Sequence, residues 1–345
     1  LPLDLRKIIV RPHFTSYPVY NKDIQNGFIN GLGNKVFFEE EDLQRKEFGS
    51  NCTFLGMNKF VIPRVFSSIT GPVYLRPEFS IFRQAIQYSG IDDRMSKAGE
   101  QYIFFPIPDR VLRRDSLLRR ELLDIQTNKY RFTAYNHRTF EWELLSSSVL
   151  RKIILNQVGV SLPHDSANKV FIKTLGNNYI IWNWEENTVS GTKPNTIGYH
   201  GSKQIFYHPV KLEEPVDNGE VWSVDSWFSN VTNEMFFTLF YKYRKFMDLL
   251  QRAELYNKNL YSFPFLNENS SYTIFIPSDQ ALDSYPVYSM KKDELASFLK
   301  YHFVRGMIFT DNTQKWKNYK TMRVDETTTP FSIYYSTLNI RPGPD

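Results

Sequence analysis

Leu5-Arg6-Lys7-Ile8-Ile9 returns 145 residues later as Leu150-Arg151-Lys152-Ile153-Ile154, and a looser copy, Leu295-Ala296-Ser297-Phe298-Leu299, follows after a further 145. Two equal offsets constrain the fold more than any other feature of the chain, because a period of domain size means one structural unit used repeatedly. In each copy the apolar residues fall at i, i+3 and i+4, the spacing that gathers them on one helix face. The 345 residues leave room for two or three such units.

Other marks recur around the helix. Tyr102-Ile103-Phe104-Phe105-Pro106-Ile107-Pro108-Asp109 parallels Tyr272-Thr273-Ile274-Phe275-Ile276-Pro277-Ser278-Asp279. Both read as a β-rich run stopped by proline, with an Asp placed to cap a following helix. Asn51 to Asn58 parallels Asn218 to Asp225, each a turn residue and then alternating side chains, as a closing strand requires. Amphipathic helices are expected around Phe82 to Ile91 and Phe246 to Leu255. The marks divide the chain into 1–64 (helix and closing strand), 65–228 (every element) and 229–345 (all but a closing strand). A chain so arranged is expected to come from a longer protein.

Composition supports packed domains: 41% of residues are hydrophobic and 16% aromatic, which favours strands with large inward side chains. One cysteine excludes an internal disulfide framework and any zinc site built on several thiolates. The net charge of +5 comes from 42 basic and 37 acidic residues, interleaved without a long basic tract, so no nucleic-acid partner is expected. No apolar run approaches the roughly 20 residues that span a bilayer.

Tyr272-Thr273-Ile274-Phe275-Ile276-Pro277-Ser278-Asp279-Gln280-Ala281-Leu282 resembles the first signature of the fasciclin domain, and Phe298 to Gly306, with Tyr301-His302 inside it, resembles the second. Asn218 to Asp225 is similar to the family's closing strand. The middle unit departs from the pattern at Pro106 and Ile107, and its second signature reads Leu155-Asn156-Gln157-Val158-Gly159, with no Tyr-His pair. Trp222 replaces a histidine, Cys52 stands in place of a glycine, and Asn128 to Ser148 has no place on the pattern. The resemblance implies tandem α+β fasciclin-like domains, each a twisted β-sandwich or wedge with helices packed at one edge. It also implies extracytoplasmic adhesion or binding rather than catalysis. A narrower resemblance is to surface lipoproteins of Bacteroidetes-type bacteria, which accompany outer-membrane transporter complexes. That implies a protein partner at the cell surface, and membrane association through a lipid anchor rather than a spanning helix.

Individual residues add little chemistry. The six histidines are isolated, with no metal-ligand spacing and no nucleophile elbow in the chain, so no catalytic residue, metal or cofactor is expected. Tyr301 and His302 read as a buried, hydrogen-bonded pair; in the family's animal members this pair is linked to receptor binding. Cys52 is expected to be buried in its strand. Arg110, Arg113, Arg114, Arg119 and Arg120, with their interleaved leucines, read as one amphipathic helix with a solvated basic face, Arg113 and Arg114 being the candidates for an anionic partner. Trp182 and Trp184, in the run from Tyr179, are candidates for stacking on a glycan, although a core strand explains them more simply. A small-ligand carrier or an enzyme with a site between repeats is the remaining alternative.

Overall fold

The computed structural model describes residues 3–124, 129–136, 139–161, 169–192, 207–228, 235–267, 270–309 and 317–341. By contacts the chain separates into two compact units, Leu1–Asp165 with Val170–Asn230, and Ser166–Lys169 with Val231–Asp345. Both mix helix and sheet, as an α+β fold requires.

The first unit begins with helix α1 (Leu3–Val10) and a hairpin of β1 (Leu43–Phe48) and β2 (Thr53–Met57). A large core follows, running from Ile69 to Phe228 and centred on Phe82, Phe104, Phe105, Phe132, Leu150 and Trp182. Its frame consists of α2 (Ser80–Ser89), β3 (Tyr102–Phe104), α3 (Asp109–Arg114), β4 (Arg119–Asp124), β5 (Lys129–Asn136), β6 (Glu141–Leu145), α4 (Ser147–Leu155) and β7 (Val158–Gly159). Then come β8 (Lys169–Lys173), β9 (Tyr179–Asn183), β10 (Thr188–Gly191), β11 (Val210–Lys211) and β12 (Gly219–Ser223).

The central sheet has the order β11-β12-β3-β7. The closing strand β12 runs parallel to β3, pairing Gly219 with Tyr102 and Val221 with Phe104, while β7 lies antiparallel on the other side, pairing Val158 with Phe104. Asn218 fastens the closing strand. Its side-chain oxygen accepts from the Ile69 amide at 2.7 Å, its NH2 donates to the Met95 carbonyl at 2.9 Å, and its carbonyl accepts from the Tyr102 amide at 2.9 Å. Gly219 comes next at φ +147, and a Cβ there would lie 1.9 Å from the Tyr102 carbonyl oxygen, so only glycine lets the strands approach.

The second unit holds α5 (Met235–Lys242), α6 (Arg244–Arg252), β13 (Tyr272–Ile274), α7 (Asp279–Ser284), α8 (Lys292–Tyr301), β14 (Phe303–Arg305), β15 (Lys317–Val324) and β16 (Tyr335–Ile340). The sheet order is β13-β14-β15-β16, and the core gathers Phe246, Leu250, Leu282, Leu295, Leu299 and Phe303. Here β13 pairs with β14 as Thr273 with Val304 and Ile274 with Phe303. In the first unit Ile103 pairs with Gly159 and Phe104 with Val158. The 145-residue offset of the sequence is therefore also the register of the strand that follows each helix.

Three sequence expectations are corrected. The arginine stretch is not one helix: α3 stops at Arg114, Ser116 turns the chain at φ +53, and Arg119 and Arg120 lie on β4, paired with Thr133 and Phe132. This β4-β5-β6 sheet also takes up most of the stretch from Asn128 that had no place on the family pattern. Asp109 and Asp279 do not cap their own helices. Asp109 reaches back to the start of α2, accepting from the Ile81 amide at 2.9 Å and the Ser80 hydroxyl at 2.6 Å, while Ser278 caps α7 by accepting from the Ala281 amide. Cys52 is exposed at the tip of its hairpin rather than buried.

Candidate binding surfaces

Tyr301 and His302 lie at the end of α8 but are not bonded to each other. The Tyr301 hydroxyl donates to the Thr337 carbonyl at 3.4 Å, and His302 Nδ1 is 2.9 Å from the Phe298 carbonyl, which requires the hydrogen on that nitrogen. The His302 ring packs against Phe298 at 4.7 Å and Phe246 at 5.9 Å. Burial holds its pKa below the ordinary imidazole value, opposed by the hydrogen bond to Phe298. The neutral ring is thus a packing group that also ties down a helix-end carbonyl. Gln157 occupies the corresponding position in the first unit: the Phe105 amide donates to the Gln157 carbonyl as the Phe275 amide donates to that of His302. The Gln157 side chain additionally bonds Phe105 O at 3.0 Å and Phe228 N at 2.8 Å.

Arg113 and Arg114 are exposed at the end of α3, Arg114 held by Asp115 at 2.6 Å. Trp182 is fully buried, stacked on Trp184 at 4.3 Å and met edge-on by Trp222 at 5.0 Å. It presents no face to a glycan, so that assignment is corrected; Trp184 is half-buried. The described histidines His13, His208 and His302 each place Nδ1 on a backbone carbonyl, and His137, His164 and His200 lie outside the described residues. Among the described residues, no group of three or more His, Cys, Asp or Glu side chains is placed to hold a metal ion. No helix there is long and apolar enough to cross a membrane.

The surface that sequence reasoning missed is an aromatic cleft of about 520 Å³ in the second unit. Helix α5 supplies Phe236, Phe240 and Tyr241, and the turn after α6 supplies Tyr256, Lys258 and Tyr261. Phe236 stacks flat on Tyr256 at 5.2 Å and meets Tyr261 edge-on at 5.5 Å. The turn is tied by hydrogen bonds: Asn257 and Ser262 exchange backbone bonds, and Asn257 Oδ1 accepts from the amides of Asn259 and Leu260. Tyr261 sits inside it at φ +49, a conformation non-glycine residues seldom adopt, and its ring is 66% exposed. Tyr241 is 69% exposed and Leu260 72%. The side chains of Gln251 and Lys258, on the same cleft, make no hydrogen bond or ion pair among the described residues. Exposed tyrosines beside the Gln251 and Lys258 side chains have the composition common in recognition surfaces. The signal in the sequence is the aromatic cluster of Met235–Lys242, from which Phe236, Phe240 and Tyr241 line the cleft.

Comparison with known families places residues 241–341 in a match to the Fasciclin domain. Domains of that family are associated with adhesion-type, non-catalytic functions. No curated protein matches the chain.

Proposed function

We propose that this protein is a non-enzymatic binding protein of the extracytoplasmic cell surface, built from tandem fasciclin-like repeats. Residues 1–64 are the C-terminal part of one repeat, 65–228 a complete repeat and 229–345 the N-terminal part of a third. The match of residues 241–341 to the Fasciclin domain carries the reading, and the open aromatic cleft, formed by the start of that segment with Phe236 and Phe240 just before it, offers a surface for a partner. In the narrower form the protein is a lipid-anchored accessory subunit of an outer-membrane transporter complex. Exposed tyrosines suit a protein partner, since each buries a large ring at small entropic cost while its hydroxyl keeps a hydrogen bond.

Co-purification from native membranes in mild detergent, with mass spectrometry of the recovered chains, tests both forms. A stoichiometric membrane transporter supports the accessory subunit. Recovery of the protein alone, still able to bind matrix protein or glycan, removes the accessory role and keeps the adhesin. Turnover of a small substrate by the purified protein contradicts the reading outright.

A further inference from the structure

Hairpin β15–β16 carries a segment that its counterpart in the first unit, β8–β9, lacks. The pairing of Val304 with Thr321 matches the bridge between Gly159 and Thr174, at the 145-residue offset of the repeated helix. In the first unit the Thr174 amide donates to the Asn178 carbonyl at 2.8 Å across the short turn Leu175-Gly176-Asn177. In the second, the Thr321 hydroxyl donates to the Ser336 carbonyl at 2.9 Å, and the whole run 322–335 intervenes. The short turn is bonded back onto its unit. Leu175 N donates to Val158 O at 2.8 Å, Gly176 N to Leu155 O at 3.1 Å, and Asn178 Nδ2 to Asn156 Oδ1 at 2.9 Å. These holding residues all precede the turn, and the second unit has residues at the same offset, Phe303, Lys300 and Tyr301. The difference therefore lies in the hairpin itself.

The added segment is closed on itself. Asp325 N donates to Tyr334 O at 2.8 Å, and Thr328 Oγ1 accepts from Tyr334 N at 3.0 Å while donating to Tyr334 O at 3.1 Å. Asp325 Oδ1 accepts from both the amide and the hydroxyl of Thr327. At the end, Thr329 and Ser332 exchange backbone bonds at 3.0 and 3.2 Å around Pro330-Phe331, a turn whose second residue, proline, brings no N–H. Phe331 at this tip is 97% exposed, with Ile333 at 63%, Tyr334 at 54% and Val324 at 46% behind it. Polar groups are thus spent on the loop's own bonds while apolar side chains face outward, the arrangement of a contact site rather than of an ordinary surface loop.

We propose that residues 329–334 are a membrane-contact loop that enters the interface of a zwitterionic bilayer, with Phe331 and Ile333 among the upper acyl chains and Tyr334 at the headgroup level. Three observations favour a bilayer over a protein. The exposed side chains of the tip offer on the order of 500 Å², short of the roughly 800 Å² per partner of a specific protein interface; a fluid bilayer supplies its own fit. The bonds closed within the loop remove part of the cost that an apolar medium sets on bare backbone groups. Charge is absent from residues 329–334 and balanced behind them, where Lys320 and Arg323 stand with Asp325 and Glu326, Arg323 lying 4.0 Å from Glu326. Apolar burial, not headgroup charge, drives entry. The inference goes beyond the proposed binding role and rests neither on the aromatic cleft nor on a lipid anchor.

The test floats the whole chain with phosphatidylcholine vesicles at millimolar lipid, beside the variants Phe331→Asp, Phe331→Trp and Tyr241→Ala/Tyr261→Ala. The parent is expected to float equally at about 0.1 and about 1 M NaCl, since salt does not screen apolar entry. Phe331→Asp should lower the partition coefficient at least about tenfold, at an unchanged melting temperature because the ring it removes is already in water. The indole introduced by Phe331→Trp should be quenched beyond the parent's fluorescence by lipids brominated high on the acyl chain. The cleft variant should float like the parent, so this inference and the role of the aromatic cleft fail separately. No flotation, flotation indifferent to Phe331→Asp, flotation abolished by salt, or no added quenching overturns the proposal. A protein retained by the parent from a membrane-free extract and lost with Phe331→Asp, without flotation, also overturns it and makes the tip a knob for a protein pocket.

Discussion

His302 and Gln157 show how one position serves two chemistries. Each follows a helix of the repeated pattern and holds the chain as it enters the next strand. Glutamine does so with an amide that cannot titrate; the His302 Nδ1–H bond to Phe298 survives protonation, and what opposes a charge on that ring is its burial against Phe298 and Phe246. Since burial depresses the His302 pKa, the unfolded chain takes up its proton first as the pH falls. The stability this group contributes is present above about pH 6.5, the unfolded value, and is lost as the pH falls toward the folded one. The melting temperature of the second unit should therefore drop on acidification through that window, and His302→Gln should flatten the profile; a mutant profile as steep as the parent's would remove His302 from the account. Asn218 is the other single residue on which much hangs. Asn218→Ala leaves a buried amide and carbonyl without partners, so a loss of about 2–3 kcal/mol in urea unfolding of the first unit is expected.

At the scale of elements, the repeated helix was legible because its apolar positions keep both the helical spacing and the 145-residue offset. Its packing was not legible. Leu150 and Leu5 occupy the same position in their copies, yet Ile154 and Leu155 beyond Leu150 are buried while Ile9 and Val10 beyond Leu5 are not. Leu150→Ala should cost about 3 kcal/mol, as a fully enclosed leucine does, and Leu5→Ala less; equal losses by chemical denaturation would mean that the two helices are equally well packed. The arginine stretch was misread for a physical reason. Leu118 and Leu122 stand four apart, a helical interval, but Leu118 points into the core while Leu122 lies on a strand paired with Tyr130. Pairing with a distant segment outweighed local spacing, and nothing in those few residues records the partner. The aromatic cleft escaped notice because it depends on a turn, Asn257 to Ser262, that sets Tyr261 against Phe236.

For the whole molecule, two compact units carry different assignments. The first holds the complete sheet, in which a parallel closing strand is locked by Asn218 and Gly219. The second contains the segment that matches the Fasciclin domain, and the start of that segment forms most of the aromatic cleft. The central claim is that the exposed tyrosines of that cleft bind a partner at the cell surface. The direct measurement compares the parent protein and the Tyr241→Ala/Tyr261→Ala variant, each immobilised, for retention of source cells or of the co-purified partner, with melting temperatures recorded in parallel. The account predicts at least a tenfold loss of retention at an unchanged melting temperature, because both rings are already largely in water. Full retention by a folded double variant would contradict it.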